Sequence, residues 1–159
     1  MLPLSTTSSS AKTSARVWTR PFGTGGAPER GLIDTSVVIA LRTISTVAIP
    51  TFSAVSTLTF AELSSGLASA VDELERARRR QHLTRMEIAF EAVPFDLSCA
   101  RAFARICSAV VAAGRRPRGA RVVDLLIAAT ALAHELPLYT RNASDLVGLD
   151  ALVDVIDLG

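Results

Sequence analysis

In Gly31-Leu32-Ile33-Asp34-Thr35-Ser36-Val37-Val38-Ile39-Ala40-Leu41-Arg42 a short apolar run closes on an acid and gives way at once to helical spacing. Short β-like runs that alternate with helical ones from Gly31 onward argue for a parallel α/β sheet. This stretch therefore opens an α/β unit, with Gly31–Ile33 as first strand, Asp34 at its carboxyl end and a helix near Ser36–Arg42.

Toward higher numbers the alternation continues. A second strand is expected at Phe52–Thr57, after which Phe60, Leu63, Leu67, Val71 and Leu74 recur at helical spacing and predict a helix, or helix pair, running to about Phe90. Its exposed side carries Asp72, Glu73, Glu75, Arg76 and Arg78-Arg79-Arg80. Ala92–Phe95 reads as a short strand or connector, and Asp96 or Ser98 can cap the helix that follows. In that helix Ala100, Phe103, Ala104, Cys107, Val110 and Val111 form the expected apolar stripe, and Gly114 is a good stop. Val122–Glu135 is apolar nearly all round and should be central to the core. Pro137–Thr140 reads as a strand, Arg141–Ser144 as a loop and Leu152–Ile156 as a final strand, with no internal repeat. The expected fold class is one α/β domain over residues 31–159, a central parallel sheet flanked by helices.

Toward lower numbers the pattern stops. Residues 1–30 hold 16 Ser, Thr, Gly or Pro and no apolar period, so a disordered extension is expected there. Pro3, Pro21, Pro28 and three glycines spoil an amphipathic transit helix, and no secretory apolar segment is present.

A chain of 159 residues with 49% apolar and 20% charged side chains is long enough to bury one sizeable core. The longest apolar run, Val122 to Ala133, is interrupted by Asp124 and Thr130 and falls short of the ~20 residues that cross a bilayer, so no membrane span is expected. Residues 1–30 carry a net +3, so the remainder sums to −1 and the basic balance belongs to the extension. Lys12, the sole lysine, lies there too, which excludes a lysine-dependent phosphate loop or Schiff base in the folded body. Cys99 and Cys107 sit eight apart on one predicted helix, roughly 12 Å at ~1.5 Å per residue, too far for a disulfide. Free thiols suit the reducing cytoplasm, the expected location. His82 is expected on a solvated basic face and His134 in a helix's last turn.

Four carboxylates fall where packing alone would not put them. Asp34 ends an apolar strand, Glu62 lies in the first turn of the helix after the second strand, Asp124 interrupts an apolar helix start, and Asp145 follows the loop after Pro137–Thr140. Each has a plainer reading as a cap or a first-turn acid. Together they map to the edge where open α/β sheets form their ligand crevice, and an ionised carboxylate in apolar surroundings such as Asp124 is costly unless paired or metal-bound. Oxygen ligands with no Cys or His set point to a hard cation, Mg²⁺ or Mn²⁺, and to phosphodiester hydrolysis.

Leu32-Ile33-Asp34-Thr35-Ser36, Thr59-Phe60-Ala61-Glu62-Leu63, Val123-Asp124-Leu125-Leu126-Ile127-Ala128-Ala129-Thr130-Ala131 and Thr140-Arg141-Asn142-Ala143-Ser144-Asp145-Leu146 stand in order along the chain. In these four motifs, over residues 31 to about 157, the sequence resembles PIN-domain ribonucleases, VapC-type toxins of bacterial toxin–antitoxin pairs in particular. The resemblance implies an endoribonuclease in which Asp34, Glu62, Asp124 and Asp145 bind one or two Mg²⁺ or Mn²⁺ ions, with Ser36, Thr140 and Asn142 as hydrogen-bonding neighbours. It also implies a cognate antitoxin and a homodimer. Leu146 replaces an aromatic that often ends the last motif, and the 30-residue extension is a larger departure.

RNA needs positive charge to offset its backbone. Arg115, Arg116 and Arg118, just before the Asp124 helix, are the expected contacts, with Arg141 beside Asn142; Arg78–Arg80 read first as a solvated helix face. Few aromatic residues lie beyond residue 30, so backbone and shape should outweigh base stacking. Two other readings start from the same residues. A haloacid-dehalogenase-like phosphatase also opens on a strand-ending Asp, but needs a second Asp where Ser36 stands and a body lysine. A non-catalytic RNA-binding PIN-like protein would be expected to lack one of the four acids, and none is missing.

Overall fold

The computed structural model describes residues 29–119 and 121–159. Apart from Glu29 and Arg30, the segment expected to be disordered lies outside the described residues; Arg30 already belongs to the first strand. The elements run β1 (Arg30–Ile33), α1 (Thr35–Ala40), a 3-10 turn at Thr46–Ala48, β2 (Phe52–Ser56), α2 (Thr57–Ser65) and α3 (Glu73–Ala89). There follow β3 (Glu91–Val93), α4 (Leu97–Ala112), α5 (Arg121–Ala133), β4 (Leu138–Thr140), a 3-10 turn at Ala143–Leu146 and β5 (Val155–Asp157).

The five strands form one sheet in the order β3-β2-β1-β4-β5, every pairing parallel. From β1 the chain first builds outward through β2 to β3, then returns through α4 and α5 to place β4 on the other side of β1. That reversal leaves a crevice at the carboxyl ends of β1 and β4, where an open parallel sheet takes its ligands.

Alternate strand residues feed two cores. Leu32, Ala54 and Leu138 face α4 and α5 with Ile106, Leu125, Ala128 and Leu149, whereas Ile33, Val55 and Tyr139 face Val37, Val38, Leu63, Met86 and Phe90. Gly31 is needed because Tyr139 crosses it: a Cβ there would lie 2.5 Å from Tyr139 Cε2 and 3.0 Å from Pro50 Cγ. As expected, α5 is the central helix, with Leu125, Ile127, Ala128, Ala129, Thr130 and Ala131 buried and α4 as main partner. Gly114, at φ +73°, lets the chain turn after α4 so that the Arg115 amide returns to the Val110 carbonyl.

Three expectations need correction. The stripe from Phe60 to Leu74 is broken: Leu67 lies in a turn, and Val71 and Leu74 are 87% and 61% exposed. Asp72 accepts from the Glu75 amide while Glu75 accepts from the Val71 amide, a reciprocal cap that starts a new helix where the apolar period runs straight through. On α4 the buried face is Cys99, Ala102, Ile106 and Val110, so Ala100, Ala104 and Val111 are exposed. Ile106 turns to the core, so the buried stripe lies about one residue away from the expected one. The final strand starts at Val155, and a 3-10 turn at Ala143–Leu146 takes up the second half of the loop expected at Arg141–Ser144. Asp96 caps α4, and Cys99 and Cys107 are free thiols. Among the described residues no helix is long and apolar enough to cross a membrane.

Candidate functional site

Asp34 leaves β1 at its carboxyl end and caps α1. Its Oδ1 accepts from the Val37 amide at 2.9 Å and the Ser36 hydroxyl at 2.7 Å, while Ser36 Oγ accepts from the Arg141 amide at 2.9 Å. A relay of hydrogen bonds thus ties the end of β4 to Asp34. The residue is 5% exposed, and among the described residues no donor reaches its second oxygen.

Glu62 lies in the second turn of α2, one turn later than expected, because α2 begins directly at the end of β2. Thr35 Oγ1 donates to Glu62 Oε2, and Thr59 Oγ1 lies 3.2 Å from Thr35 Oγ1. A hydroxyl has one proton, so with Thr35 committed to the carboxylate, Thr59 donates to Thr35.

Asp124 stands in the first turn of α5, half-buried, and accepts no hydrogen bond from a described residue. The positive end of a helix should favour its charge by about 0.3–1 kcal/mol. Burial acts the other way and is the largest influence, followed by the negative charges of Glu62, Asp34 and Asp145, with Arg121 opposing; the carboxyl is pushed up from 3.8 to about 6. The three other acids therefore act on Asp124 as a group.

Asp145 sits in the 3-10 turn after β4, where its Oδ1 accepts from Arg121 Nε at 3.1 Å and forms an ion pair with Nη2 at 3.1 Å. Among the described residues no three Asp, Glu, His or Cys side chains close around one point as a finished ligand cage. Asp34 and Glu62 turn to neighbouring hydroxyls and Asp145 to a guanidinium, so the like charges spread onto the donors at hand.

Of the expected neighbours, Ser36 contacts Asp34 directly, Thr140 Oγ1 accepts from the Asn142 amide at 2.9 Å, and the Asn142 side chain is exposed. Arg115, Arg116 and Arg118 line, with Arg121, Asp124 and Asp145, a groove of about 520 Å³, and Arg115 donates to the Ser144 carbonyl at 2.9 Å. Thr35 and Thr59 lie inside the quoted motifs without a role assigned to them there, and Arg121 lies outside the motifs. Arg121 had one signal, its position a turn before Asp124 on the same helix face. His82 also departs from expectation: it lines a cavity beside Glu62, with its Nε2 buried and unpartnered.

Residues 32–145 match the PIN domain family. The chain is 35% identical to Ribonuclease VapC5 of Mycobacterium tuberculosis over 131 residues, 80% of this chain and 93% of that protein. It is 38% identical to Ribonuclease VapC8 of the same species over 102 residues, 64% and 89% of the two chains. A crystal structure of VapBC-5 of Mycobacterium tuberculosis, a member of the VapBC family of toxin–antitoxin systems, superposes with a TM-score of 0.70 at 35% identity, covering 82% of this chain and 98% of that one.

Proposed function

The chain belongs to the PIN-domain family, and from that premise we propose that it is an endoribonuclease toxin held in check by a cognate antitoxin protein. It hydrolyses RNA phosphodiester bonds with Mg²⁺ or Mn²⁺, one or two ions held by Asp34, Glu62, Asp124 and Asp145. The same reading has it working as a homodimer in the cytoplasm.

The observation that carries the proposal is Asp124, a half-buried carboxylate with no hydrogen bond from a described residue and with Glu62, Asp34 and Asp145 raising its proton affinity. Such a group is relieved either by a proton or by a cation. An all-oxygen donor set fits a hard divalent ion. When bound, the ion supplies an activated water and offsets negative charge on the phosphate.

The chain's own residues do the rest. Ser36 and the Val37 amide hold one Asp34 oxygen and leave the other without a donor among the described residues; Thr35 orients Glu62. Arg115, Arg116 and Arg118 offer the RNA backbone a positive wall against an otherwise acidic edge. Arg121 keeps Asp145 on that edge while it is not otherwise engaged.

The test is cleavage of RNA by the full chain with Mg²⁺, with Mn²⁺ and with excess chelator, beside Asp124→Asn. Cutting that needs the ion and disappears in the variant is the expected result. Cutting that survives both chelation and substitution would overturn the assignment. A parallel melt adds a readout independent of activity: either ion should raise the wild-type midpoint and do much less for Asp124→Asn.

A further inference from the structure

Arg121 is the first residue of α5, one turn before Asp124 on the same face of that helix. A cation at a helix start works against the positive end of the helix, so helix formation does not account for it. Its partner is Asp145, whose Oδ1 lies 3.1 Å from both Nε and Nη2. The strong form of an arginine–carboxylate pair is a parallel fork in which each nitrogen takes its own oxygen. Here both nitrogens converge on one oxygen, and among the described residues no donor reaches Asp145 Oδ2. The two side chains are also 32% and 36% exposed, so water weakens their attraction. Such a pair is readily exchanged for a better one.

The groove around it favours an anion. Of its six lining residues four are arginines, 115, 116, 118 and 121, and two are acids, Asp124 and Asp145. Arg116 and Arg118 are exposed and make no ion pair among the described residues. Once a cation engages the two acids, four guanidiniums are left with no carboxylate to answer them, in a groove of about 520 Å³ open to water.

We infer that Arg121 changes partner in the course of the reaction: it pairs with Asp145 in the resting site and passes to a backbone phosphate of the RNA when a divalent ion draws Asp145 away. The inference rests on the ribonuclease reading and gives it a phosphate-binding residue that one of the site's own acids holds back. A phosphate offers the guanidinium two oxygens in place of the one it now shares. Because Arg121 touches Asp145 and stands a turn from Asp124, the phosphate it takes is the one seated against these two acids, whereas Arg116 and Arg118 meet phosphates farther along the strand. The exchange also couples the two ligands. A cation on Asp145 frees the arginine, and a phosphate on the arginine keeps Asp145 open to the cation, so each tightens the binding of the other.

Release of Arg121 can be imposed without any ion by removing its partner. The full chain, Arg121→Ala, Asp145→Ala and the double variant form a cycle in which binding of a short single-stranded RNA is measured by fluorescence anisotropy in excess chelator. With Asp145 present, Arg121→Ala should weaken binding at most about threefold, since the arginine is already engaged. With Asp145→Ala as background the same change should cost about tenfold or more and lower the salt dependence by about one phosphate contact. Asp145→Asn keeps a neutral acceptor and should give the same pattern at smaller size. Arg121→Lys keeps the charge without the fork, so it should fall between arginine and alanine, which also guards against a folding defect in Arg121→Ala. With Mn²⁺ added, Arg121→Ala should cut RNA at least about tenfold more slowly even though its Asp145 is open to the ion.

Equal effects of Arg121→Ala in both backgrounds would show that Asp145 holds nothing back, and no effect in either would show that Arg121 meets no phosphate; each result overturns the inference. Cutting by Arg121→Ala at the wild-type rate overturns it as well. The binding cycle needs no cleavage, so the two readings fail separately. A coupled cycle in a chain that no ion enables to cut would count against the ribonuclease reading and leave the exchange standing, whereas an additive cycle in a chain that cuts would do the reverse.

Discussion

The acidic edge has two flanks built on different principles. On the β1–α1–α2 flank, Asp34 and Glu62 are held by neutral donors: the Ser36 and Thr35 hydroxyls and the Val37 amide. On the flank formed by α5 and the turn after β4, Asp145 is held by Arg121, and Arg115 pins the neighbouring Ser144 carbonyl. A neutral donor fixes a carboxylate in place and leaves its charge intact; a guanidinium fixes it and cancels the charge. The first flank therefore presents ready-made negative charge, whereas the second must give up an arginine before it can serve a cation. Asp124 stands between them and feels both.

The sharpest way to break this contrast is to neutralise the acids one at a time. Asp34→Asn and Glu62→Gln should each lower RNA cleavage at least about a hundredfold, and Asp145→Asn only about tenfold, because the last acid is already charge-balanced. Equal losses at all three positions would erase the distinction between the flanks.

Next in size is the charge stored at Asp124. Its folded-state value, about 6, lies above the ordinary 3.8, so this group's contribution to stability is complete below pH 3.8 and is lost as pH rises through 6. Two units correspond to roughly 3 kcal/mol, which partial exposure reduces to about 1–2 kcal/mol. In chelator at pH 7, Asp124→Asn should be more stable than wild type by that amount, with the gap closing toward pH 4. A less stable variant at pH 7, seen by denaturant titration, would make Asp124 a structural cap.

Asp34 sharpens the contrast from the other side, since it serves as an α1 cap as well as an acid. Asp34→Ala should cost about 1 kcal/mol or more, while Asp34→Asn, which can still cap, should stay near wild type in stability despite losing activity. If both substitutions destabilise alike, the charge rather than the cap holds that corner.

A smaller effect is expected at Arg121. Freed of its guanidinium, Asp145 is open to a cation, so Arg121→Ala should tighten Mn²⁺ binding about threefold by calorimetry, with Arg121→Lys between the two. Weaker ion binding would make Arg121 a support for the site instead of a competitor. The smallest effect should come from removing residues 2–28, upstream of β1: no change in melting midpoint, and at most weaker RNA binding at low salt. A lowered midpoint would show that the domain begins earlier.

How far the site could be read in advance follows the same division. Asp34 and Asp124 announce themselves locally, one ending an apolar strand, the other breaking an apolar helix. The alternation Leu32/Ile33 and Leu138/Tyr139 likewise foretells a strand buried on both faces, and the parallel sheet with it. What stayed hidden depends on partners distant in sequence. Thr35 reaches Glu62 across 27 residues, and Arg121 reaches Asp145 across 24. Nothing in a threonine's neighbours marks it as an orienting donor. The break between α2 and α3 was obscured because Leu67, Val71 and Leu74 continue the period of Phe60 and Leu63, while the decisive signal was the polar cap at Asp72 and Glu75. At His82 the neighbouring Arg78–Arg80 point to a face turned wholly to water, whereas the helix packs that side chain against α1 and α2.

The order of strands in the sheet also has a consequence in time. Leu32 in β1 pairs on one side with Ala54 and on the other with Leu138. The first pairing closes a short loop and can form early; the second must wait until α3, β3, α4 and α5 have been made, and contacts so distant along a chain are slow to form. Until β4 docks, the Arg141 amide cannot reach Ser36, and Asp145 has no place beside Asp124. A chain still emerging from the ribosome therefore carries three of its four acids with no completed edge to hold them, and the cell that synthesises it meets the cutting edge only as the last strands fall into place.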